Sequence, residues 1–378
     1  MTEHADPRAP ATLAPGSLLA WLRAHAWIGG RAVVLVTAVV VGALAPWDGN
    51  GVVRRAGPFG LLGAWDGHWY RLVASSGYLL VPGRQSDPAF FPLYPLLLRG
   101  VHATGVGYLA AGVLVSNLAF LGALVALHAL TRELLGPDLA RRTTRYAAIF
   151  PLGYSFSMVY PESLVLCAIA VAALAALSGR WGVATVAGAA AALARPEGLF
   201  VALPLLGIAW SRRRRLAPSE RGLALGAILA PSAALASFPL YLARVIHDPF
   251  AWSRAERAWG RHFTPLGFTT AVARLPEALS RNPWLLRDVV ALALYLALFV
   301  AARRAGTPWP WLLAALGVVV LPAFSGSFAS IGRFGLLAPP VFWGLARLGR
   351  GPRADRAIAA ACLVLLVSAT ATIPAVFP

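Results

Sequence analysis

Long runs of apolar residues, separated by short charged stretches, recur along the whole of this 378-residue chain. The hydrocarbon core of a bilayer is about 30 Å thick, and roughly 17 to 25 apolar residues in an α-helix cross it. Only 13% of the residues are charged, whereas about a quarter are charged in a typical soluble domain. Because backbone polar groups in hydrocarbon must bond within their own segment, these runs are expected to be helices. The sequence therefore predicts an all-α polytopic membrane protein.

About eleven segments are expected to be transmembrane or re-entrant helices, in a single membrane domain over residues 1–378. They are expected at residues 31–47, 107–131, 146–160, 162–178, 182–194, 198–210, 222–245, 286–302, 309–324, 334–347 and 357–374. Residues 1–31 are too long for the charged region of a secretory signal, and no small-residue cleavage site follows. The first helix is therefore expected to be retained.

Arginines in the short loops predict the orientation of the protein in the membrane. They cluster in loops that all fall on one side of the bilayer, at residues 132–145, 212–221, 303–304 and 347–356. If that side is cytoplasmic, the N-terminus is cytoplasmic and two long loops, 48–106 and 246–285, face outward. Each half of the hairpin between Arg180 and Arg212 has about 13 residues, which is roughly 20 Å of helix at 1.5 Å per residue. That is too short to cross the membrane comfortably, so the hairpin is expected to be recessed or re-entrant, with Arg195 at its tip.

The net charge of +18 does not indicate a nucleic-acid-binding protein. All 33 basic residues are arginines, which is typical of a GC-rich bacterial genome, and their clustering in loops is a topology signal. Cys167 and Cys362 lie in apolar runs, so neither a disulfide framework nor a zinc site is expected. We expect a multi-pass protein of a bacterial plasma membrane, in contact with membrane lipids and not with nucleic acid.

The first outward loop carries the most informative stretch of the sequence. Its apolar residues, among them Trp65 and Trp69, recur at spacings of three and four, which predicts a short amphipathic helix in the membrane interface. Asp66 lies at the edge of the apolar stripe, and Tyr70 follows one turn later. A carboxylate in that position is costly unless it has a partner or a task. Pairing with Arg71, or capping of a neighbouring backbone group, is the alternative to a functional role.

Short motifs follow one another in a fixed order along the chain. They are Trp65-Asp66-Gly67-His68-Trp69-Tyr70, Ser76-Gly77-Tyr78, Phe90-Phe91-Pro92-Leu93-Tyr94-Pro95, Tyr160-Pro161-Glu162-Ser163-Leu164, Ala194-Arg195-Pro196-Glu197-Gly198-Leu199, Ala255-Glu256-Arg257-Ala258-Trp259-Gly260-Arg261 and Ser330-Ile331-Gly332-Arg333-Phe334. Together they resemble the PIG-V family of GPI-type mannosyltransferases and its bacterial homologues, over about residues 60–350. The sequence departs from the family pattern at Glu197, where Asn is common.

The resemblance implies a GT-C type glycosyltransferase that works on the outer face of the membrane. It implies polyprenyl-phosphate mannose as the sugar donor, a lipid or glycan as the acceptor, and no metal or other cofactor. It also implies that an acidic residue of the first outward loop is the catalytic base of an inverting displacement, and this residue maps onto Asp66.

Arginines are the predicted ligands of the donor phosphate. Displacement at the anomeric carbon needs cations where the departing phosphate gains charge, and the planar guanidinium binds phosphate through two hydrogen bonds. Arg195 lies at the hairpin tip, and Arg333 lies at the start of a helix, at the end expected to face outward. The alternatives are a salt bridge of Arg195 with Glu197 or Glu162, and contact of Arg333 with lipid headgroups.

Several other side chains near the motifs are candidates for binding substrate. They are Trp65, His68, Tyr70, Tyr94, Glu162, Glu197, Glu256, Trp259 and Arg261. Glu162 could instead stabilise a helix dipole, and the residues of the second loop could lie on a surface helix with interfacial tryptophans. A metal site from Asp66, Asp87 and Glu162 is conceivable, but no spacing fixes it.

Two other classes of protein share the composition. A transporter or flippase of lipid-linked sugars would also show a short broken hairpin with intramembrane charges, although no internal repeat is visible. A non-catalytic assembly subunit would leave Asp66 without a role.

Overall fold

The computed structural model describes residues 26–44 and 59–374, and every regular element in these ranges is helical. The α-helices are α1 (Ala26–Leu44), α2 (Asp66–Ser76), α3 (Leu93–His102), α4 (Tyr108–Leu135), α5 (Pro137–Ala148), α6 (Glu162–Leu177), α7 (Trp181–Ala194), α8 (Ala202–Arg212), α9 (Pro218–Val245), α10 (Ala251–Ala258), α11 (Gly267–Ala273), α12 (Leu275–Arg281), α13 (Leu285–Arg304), α14 (Trp309–Val320), α15 (Ile331–Phe334), α16 (Pro339–Leu348) and α17 (Pro352–Ala371). Short 3-10 helices lie between them, at Gly60–Gly63, Asp87–Ala89, Gly153–Phe156, Pro196–Val201, Leu321–Ser325 and Gly335–Leu337. The all-α prediction is confirmed, while the expectations for residues 1–25 and 45–58 lie outside the described residues.

Five of the described helices are long and apolar enough to cross a membrane, namely α1, α4, α9, α13 and α17. Shorter apolar helices include α6, α7 and α14. Along the bundle, α7 packs against α6 and α9, α4 packs against α6, and α13 packs against α16. The protein is a multi-pass membrane protein in which short helices fill the space between long ones.

The expected helix over residues 146–160 is wrong. Helix α5 ends at Ala148, and the chain reaches α6 through turns and one short 3-10 helix. Arg31 of α1 is buried against this segment, where its guanidinium donates to the carbonyl oxygens of Gly153 (2.8 Å) and Ala148 (3.0 Å) and to Ser157 Oγ (3.0 Å). Because unsatisfied carbonyls are expensive away from water, a buried arginine replaces the helical hydrogen bonds that this segment lacks.

Two other expected spans are interrupted in the structure. The segment expected at residues 334–347 begins with α15 and a 3-10 helix, and α16 starts only at Pro339. In the hairpin, α7 ends at Ala194 and Arg195 is extended at the tip, both as expected, but the segment expected as a helix from residue 198 begins as a 3-10 helix, and α8 starts only at Ala202. Prolines explain both breaks, since Pro196 and Pro339 each open the helix that follows and cannot continue the one before.

Helix α4 runs from one end of the bundle to the other. Near its start, Ser116 Oγ donates to the carbonyl of Tyr160 (3.0 Å), whereas near its end Thr131 Oγ1 accepts from the indole of Trp343 (2.7 Å). At about 1.5 Å per residue these contacts lie about 22 Å apart along the helix. We call them the cavity end and the basic end, because the candidate site lies at the first and arginine-rich loops at the second. Which end faces the cytoplasm stays a prediction.

Candidate active site

Asp66 is the first residue of α2, and hydrogen bonds of the backbone and of the residue before it fix its position. Its N–H donates to the hydroxyl oxygen of Tyr160 at 3.2 Å. Trp65, directly before it, has a φ of 57°, and the indole N–H of Trp65 donates to the carbonyl of Ile373 at 2.8 Å. A positive φ is costly for a bulky residue and persists only where surrounding contacts enforce it. The turn that presents the Asp66 carboxylate is therefore strained and fixed from both sides.

Arg333 of α15 is the partner of Asp66. Its Nη1 donates to Asp66 Oδ2 at 2.6 Å, and its side chain is only 3% exposed. The alternative that Asp66 pairs with Arg71 is wrong, because Arg71 donates instead to the carbonyls of Gly67 and Gly63. The alternative that Arg333 contacts lipid headgroups is also wrong, because the side chain is buried.

The backbone that carries Arg333 is fixed by two residues of α13 that sequence reasoning missed. Asp288 Oδ1 accepts the N–H of Gly332 at 2.8 Å, and the hydroxyl of Tyr295 donates to the carbonyl of Gly332. Asp288 and Tyr295 are two helical turns apart and so lie on the same face of α13. An acidic residue inside an apolar run was a signal that could have found Asp288.

Glu162 and Arg195 form a second buried pair beside the first. Arg195 Nη1 donates to Glu162 Oε1 at 2.9 Å, and Arg195 Nε donates to Glu197 Oε2 at 3.0 Å. The same Glu162 oxygen lies 3.4 Å from Arg333 Nε, so one carboxylate bridges both predicted phosphate ligands. The salt bridge considered for Arg195 is present, with both of the carboxylates named for it.

A cavity of about 530 Å³ opens beside these ion pairs. Its lining residues are Asp66, Tyr70, Ala89, Phe90, Phe91, Ala194, Arg195, Pro196, Glu197, Glu256, Trp259, Arg261 and Arg333. One part of the wall is ionic and the other is aromatic. The fold thus brings together, from four separate motifs, most of the side chains that the sequence singled out.

Residues of the second long loop, 246–285, form one edge of the cavity, which we call the cavity lip. Glu256 lies in α10, and Trp259 is the first residue after this helix. The rings of Trp69 and Phe90 approach Trp259 edge to face, with centroids 5.6 and 6.0 Å away. Arg261 Nη1 lies 3.5 Å from Glu256 Oε2. Burial raises the pKa of the Glu256 carboxyl, and the charge of Arg261 opposes that shift.

Four candidates do not line the cavity. Trp65 contacts Ile373, His68 is exposed on α2, and the buried hydroxyl of Tyr94 is hydrogen-bonded to Ser116 Oγ (2.7 Å) inside the bundle. Glu162 lies beneath the cavity, under the two arginines that it bridges. The contacts of Trp65, Tyr94 and Glu162 favour supporting roles for these three side chains, whereas His68 has no side-chain hydrogen bond to another described residue that would give it one.

The arrangement combines a proton acceptor with cations in one cavity wall. Asp66 can take a proton from a hydroxyl group, and the guanidinium groups of Arg195 and Arg333 can bind an anion. Both arginines are also bonded to carboxylates, so an entering anion would share their guanidinium groups with Asp66, Glu162 and Glu197. Over residues 26–44 and 59–374 no group of three or more His, Cys, Asp or Glu side chains could hold a metal ion.

Comparisons with known proteins give a fold likeness and no family. No family model and no curated protein sequence matches the chain. Among solved structures, the oligosaccharyltransferase of Archaeoglobus fulgidus, in a complex with zinc and sulfate, aligns with a TM-score of 0.42 and 15% sequence identity. The alignment covers 90% of this chain and 52% of that one, so this chain spans about half the length of that enzyme. Nothing about activity follows from a likeness of this extent.

Proposed function

We propose that this protein is a GT-C type glycosyltransferase that uses Asp66 as its catalytic base. The observation that carries the proposal is the Asp66 carboxylate, held by a strained turn in the wall of a cavity that it shares with Arg195 and Arg333. A base for a hydroxyl and cations for a phosphate are the two requirements of sugar transfer from a lipid phosphate. The motifs that resemble the PIG-V family supply many of these side chains.

The proposed reaction is a direct displacement at the anomeric carbon of the donor sugar. The oxygen of the acceptor hydroxyl forms the new bond to that carbon, and its proton passes to the Asp66 carboxylate. The bond between the anomeric carbon and the phosphate oxygen breaks, and its electron pair leaves with the polyprenyl phosphate. Arg333 and Arg195 stabilise the charge on the departing phosphate, and the sugar is inverted at the anomeric carbon.

The proposed donor is polyprenyl-phosphate mannose, and the proposed acceptor is a lipid or glycan of the bacterial cell envelope. The apolar helices around the cavity suit a substrate whose lipid chain stays in the membrane while its phosphate and sugar reach the ionic wall. We propose that the cavity end faces outward, as the arginine pattern of the loops predicts.

The decisive experiment measures release of polyprenyl phosphate by the purified protein in lipid vesicles. Asp66→Asn is expected to slow transfer about 10²- to 10⁴-fold, because the amide cannot take the proton. Asp138→Asn is the matched control, since Asp138 is exposed and pairs with Arg141 in α5, and it is expected to keep wild-type activity. Activity is expected to survive EDTA, in line with a metal-independent reaction.

Two results would contradict the proposal. Full transfer by a folded Asp66→Asn variant would exclude Asp66 as the base. Movement of the lipid-linked sugar between leaflets without cleavage of its phosphate bond would identify a transporter or flippase instead.

A further inference from the structure

A buried hydrogen-bond donor in the cavity lip has no partner. The Nε1 atom of Trp259 is shielded from solvent, and no acceptor within the described residues lies within hydrogen-bonding distance of it. Buried indole N–H groups usually find a partner, and one left without a partner costs about 1 to 3 kcal/mol. An acceptor brought by a ligand would remove this cost once the ligand displaces the atoms that now cover Nε1.

The ring of Trp259 is held in place by its neighbours. Its backbone N–H donates to the carbonyl of Glu256 at 3.0 Å at the end of α10, and the rings of Trp69 and Phe90 pack edge to face against it. Since Trp69 and Phe90 also stack on each other, at 5.9 Å and 9° between planes, the aromatic group is fixed as a unit. The unpaired N–H therefore has a defined direction and cannot easily turn to another partner.

The groups beside Trp259 select among classes of ligand. Glu256 supplies a carboxylate acceptor and Arg261 a half-buried donor, and both line the cavity with Trp259. A lipid chain would leave the indole N–H unpaired. An ionised phosphate could accept from Trp259 and Arg261, but it has no hydrogen to donate to the carboxylate of Glu256. A ring that carries neighbouring hydroxyl groups matches all three side chains, because each hydroxyl both donates and accepts.

We propose that Glu256, Trp259 and Arg261 form a sugar-binding subsite, in which the indole N–H of Trp259 donates to one hydroxyl of a pyranose ring. The assignment of this ring to a substrate rests on the proposed function, because the sugar can belong either to the donor or to a glycan acceptor. Binding of a sugar at the subsite can be tested without transfer.

The test compares Trp259→Phe with Trp252→Phe. The first variant keeps an aromatic ring and removes the N–H. Trp252 lies seven residues earlier, near the start of α10 and outside the cavity, and is the matched control. Binding of methyl α-mannoside to the full-length protein in detergent micelles is followed by saturation-transfer NMR. Trp259→Phe is expected to weaken binding about tenfold, and Trp252→Phe to leave it unchanged.

A panel of monodeoxy methyl mannosides separates a hydrogen bond from a packing effect. Wild type is expected to lose about tenfold in affinity for the one analogue that lacks the hydroxyl read by Trp259, and Trp259→Phe to show no further loss with it. If wild type catalyses transfer, the same variant raises the KM of only one substrate about tenfold. An effect on the donor KM assigns the ring to the donor, and an effect on the acceptor KM assigns it to the acceptor.

The outcomes distinguish the subsite from the proposed function. Binding that depends on Trp259 in a protein without transfer would support the subsite and overturn the glycosyltransferase. Equal binding and equal KM values for Trp259→Phe and Trp252→Phe would overturn the subsite, whether or not transfer occurs. Absence of glycoside binding by wild type would also overturn it.

Discussion

Arginines lie at both ends of this bundle, but their surroundings differ. At the cavity end, Arg333 is 3% exposed and pairs with the buried carboxylate of Asp66. At the basic end, the side chain of Arg145 is 36% exposed where it pairs with Asp355, and Arg142 Nε donates to the carbonyl of Ala346 at 3.1 Å. Water and lipid headgroups can reach the basic end, whereas the cavity end depends on its own ion pairs.

The difference separates two uses of one residue type. An exposed arginine beside a membrane sets orientation, and its loss leaves partners that water can solvate. A buried arginine with a carboxylate partner is kept only where the pairs are complete, since a single unpaired charge is very costly. Burial, and not the count of basic residues, therefore identifies the arginines that belong to the candidate site.

The largest expected effect is on stability after loss of a buried arginine. Arg333→Met leaves Asp66 and Glu162 in the bundle without one of their cations, which is expected to lower the free energy of unfolding by about 3 to 5 kcal/mol. Arg145→Met is the matched control at the basic end, where Asp355 keeps its hydrogen bond from Tyr146 at 2.5 Å, and the expected change is below about 1 kcal/mol. Unfolding in mixed micelles of increasing SDS content measures both. Equal losses would show that the two ends do not differ in the way described.

A smaller effect is expected at the backbone that carries Arg195. A Cβ atom at Gly198 would lie 2.1 Å from the carbonyl oxygen of Ala191, so Gly198→Ala forces the 3-10 helix at the hairpin tip to shift. The expected cost is about 1 to 3 kcal/mol, together with loss of transfer activity as Arg195 moves.

The control for this substitution is Gly222→Ala in α9, next to the arginine cluster of the basic end. A Cβ atom at Gly222 meets no atom within 4 Å, so alanine is expected to stabilise the helix by about 0.5 to 1 kcal/mol. The same micelle titration gives both values. A tolerated Gly198→Ala, with activity kept, would mean that the hairpin tip is not a rigid support for Arg195.

The sequence predicted the membrane class and the main features of the site because both follow from local signals. Apolar runs predict helices, and a lone acid such as Asp66 or an arginine before a proline such as Arg195 stands out in such runs. The irregular stretch after Ala148 was not predictable in this way. Its apolar residues fit the pattern of a helix. The non-helical path is stabilised by the guanidinium of Arg31, which is distant in sequence and donates to carbonyl oxygens of this stretch.

Partners across the bundle were the other limit of the sequence reasoning. The motifs named Asp66, Glu162 and Arg333 separately, but no spacing shows that they meet, because each lies on a different segment of the chain. Asp288 and Tyr295 were missed for the same reason, since their task is to hold the backbone of Gly332 from another helix.

The last expected effect depends on pH and comes from a buried acid near the cavity that has no arginine partner. In the described part of the chain Asp87 makes no ion pair, and its carboxylate accepts from backbone N–H groups, among them that of Leu79 to Oδ1 at 2.7 Å. Burial raises the pKa of Asp87 to about 6, although these hydrogen bonds oppose the shift. In the unfolded chain an aspartate titrates near about 3.9, so the folded protein binds more protons between these values. The stabilising contribution is therefore complete below about pH 4 and is lost as the pH rises through about 6.

Asp87→Asn is expected to remove this part of the pH dependence. Between pH 4 and 7 the unfolding midpoint of wild type should fall more steeply than that of the variant, because only wild type gives up a bound proton. Asp138→Asn removes an acid whose side chain is 73% exposed, so its midpoints should follow the wild-type slope. If Asp87→Asn also followed the wild-type slope, burial of the Asp87 carboxylate would contribute nothing to the pH dependence of stability. The contrast between the two ends would then rest on the arginine pairs alone.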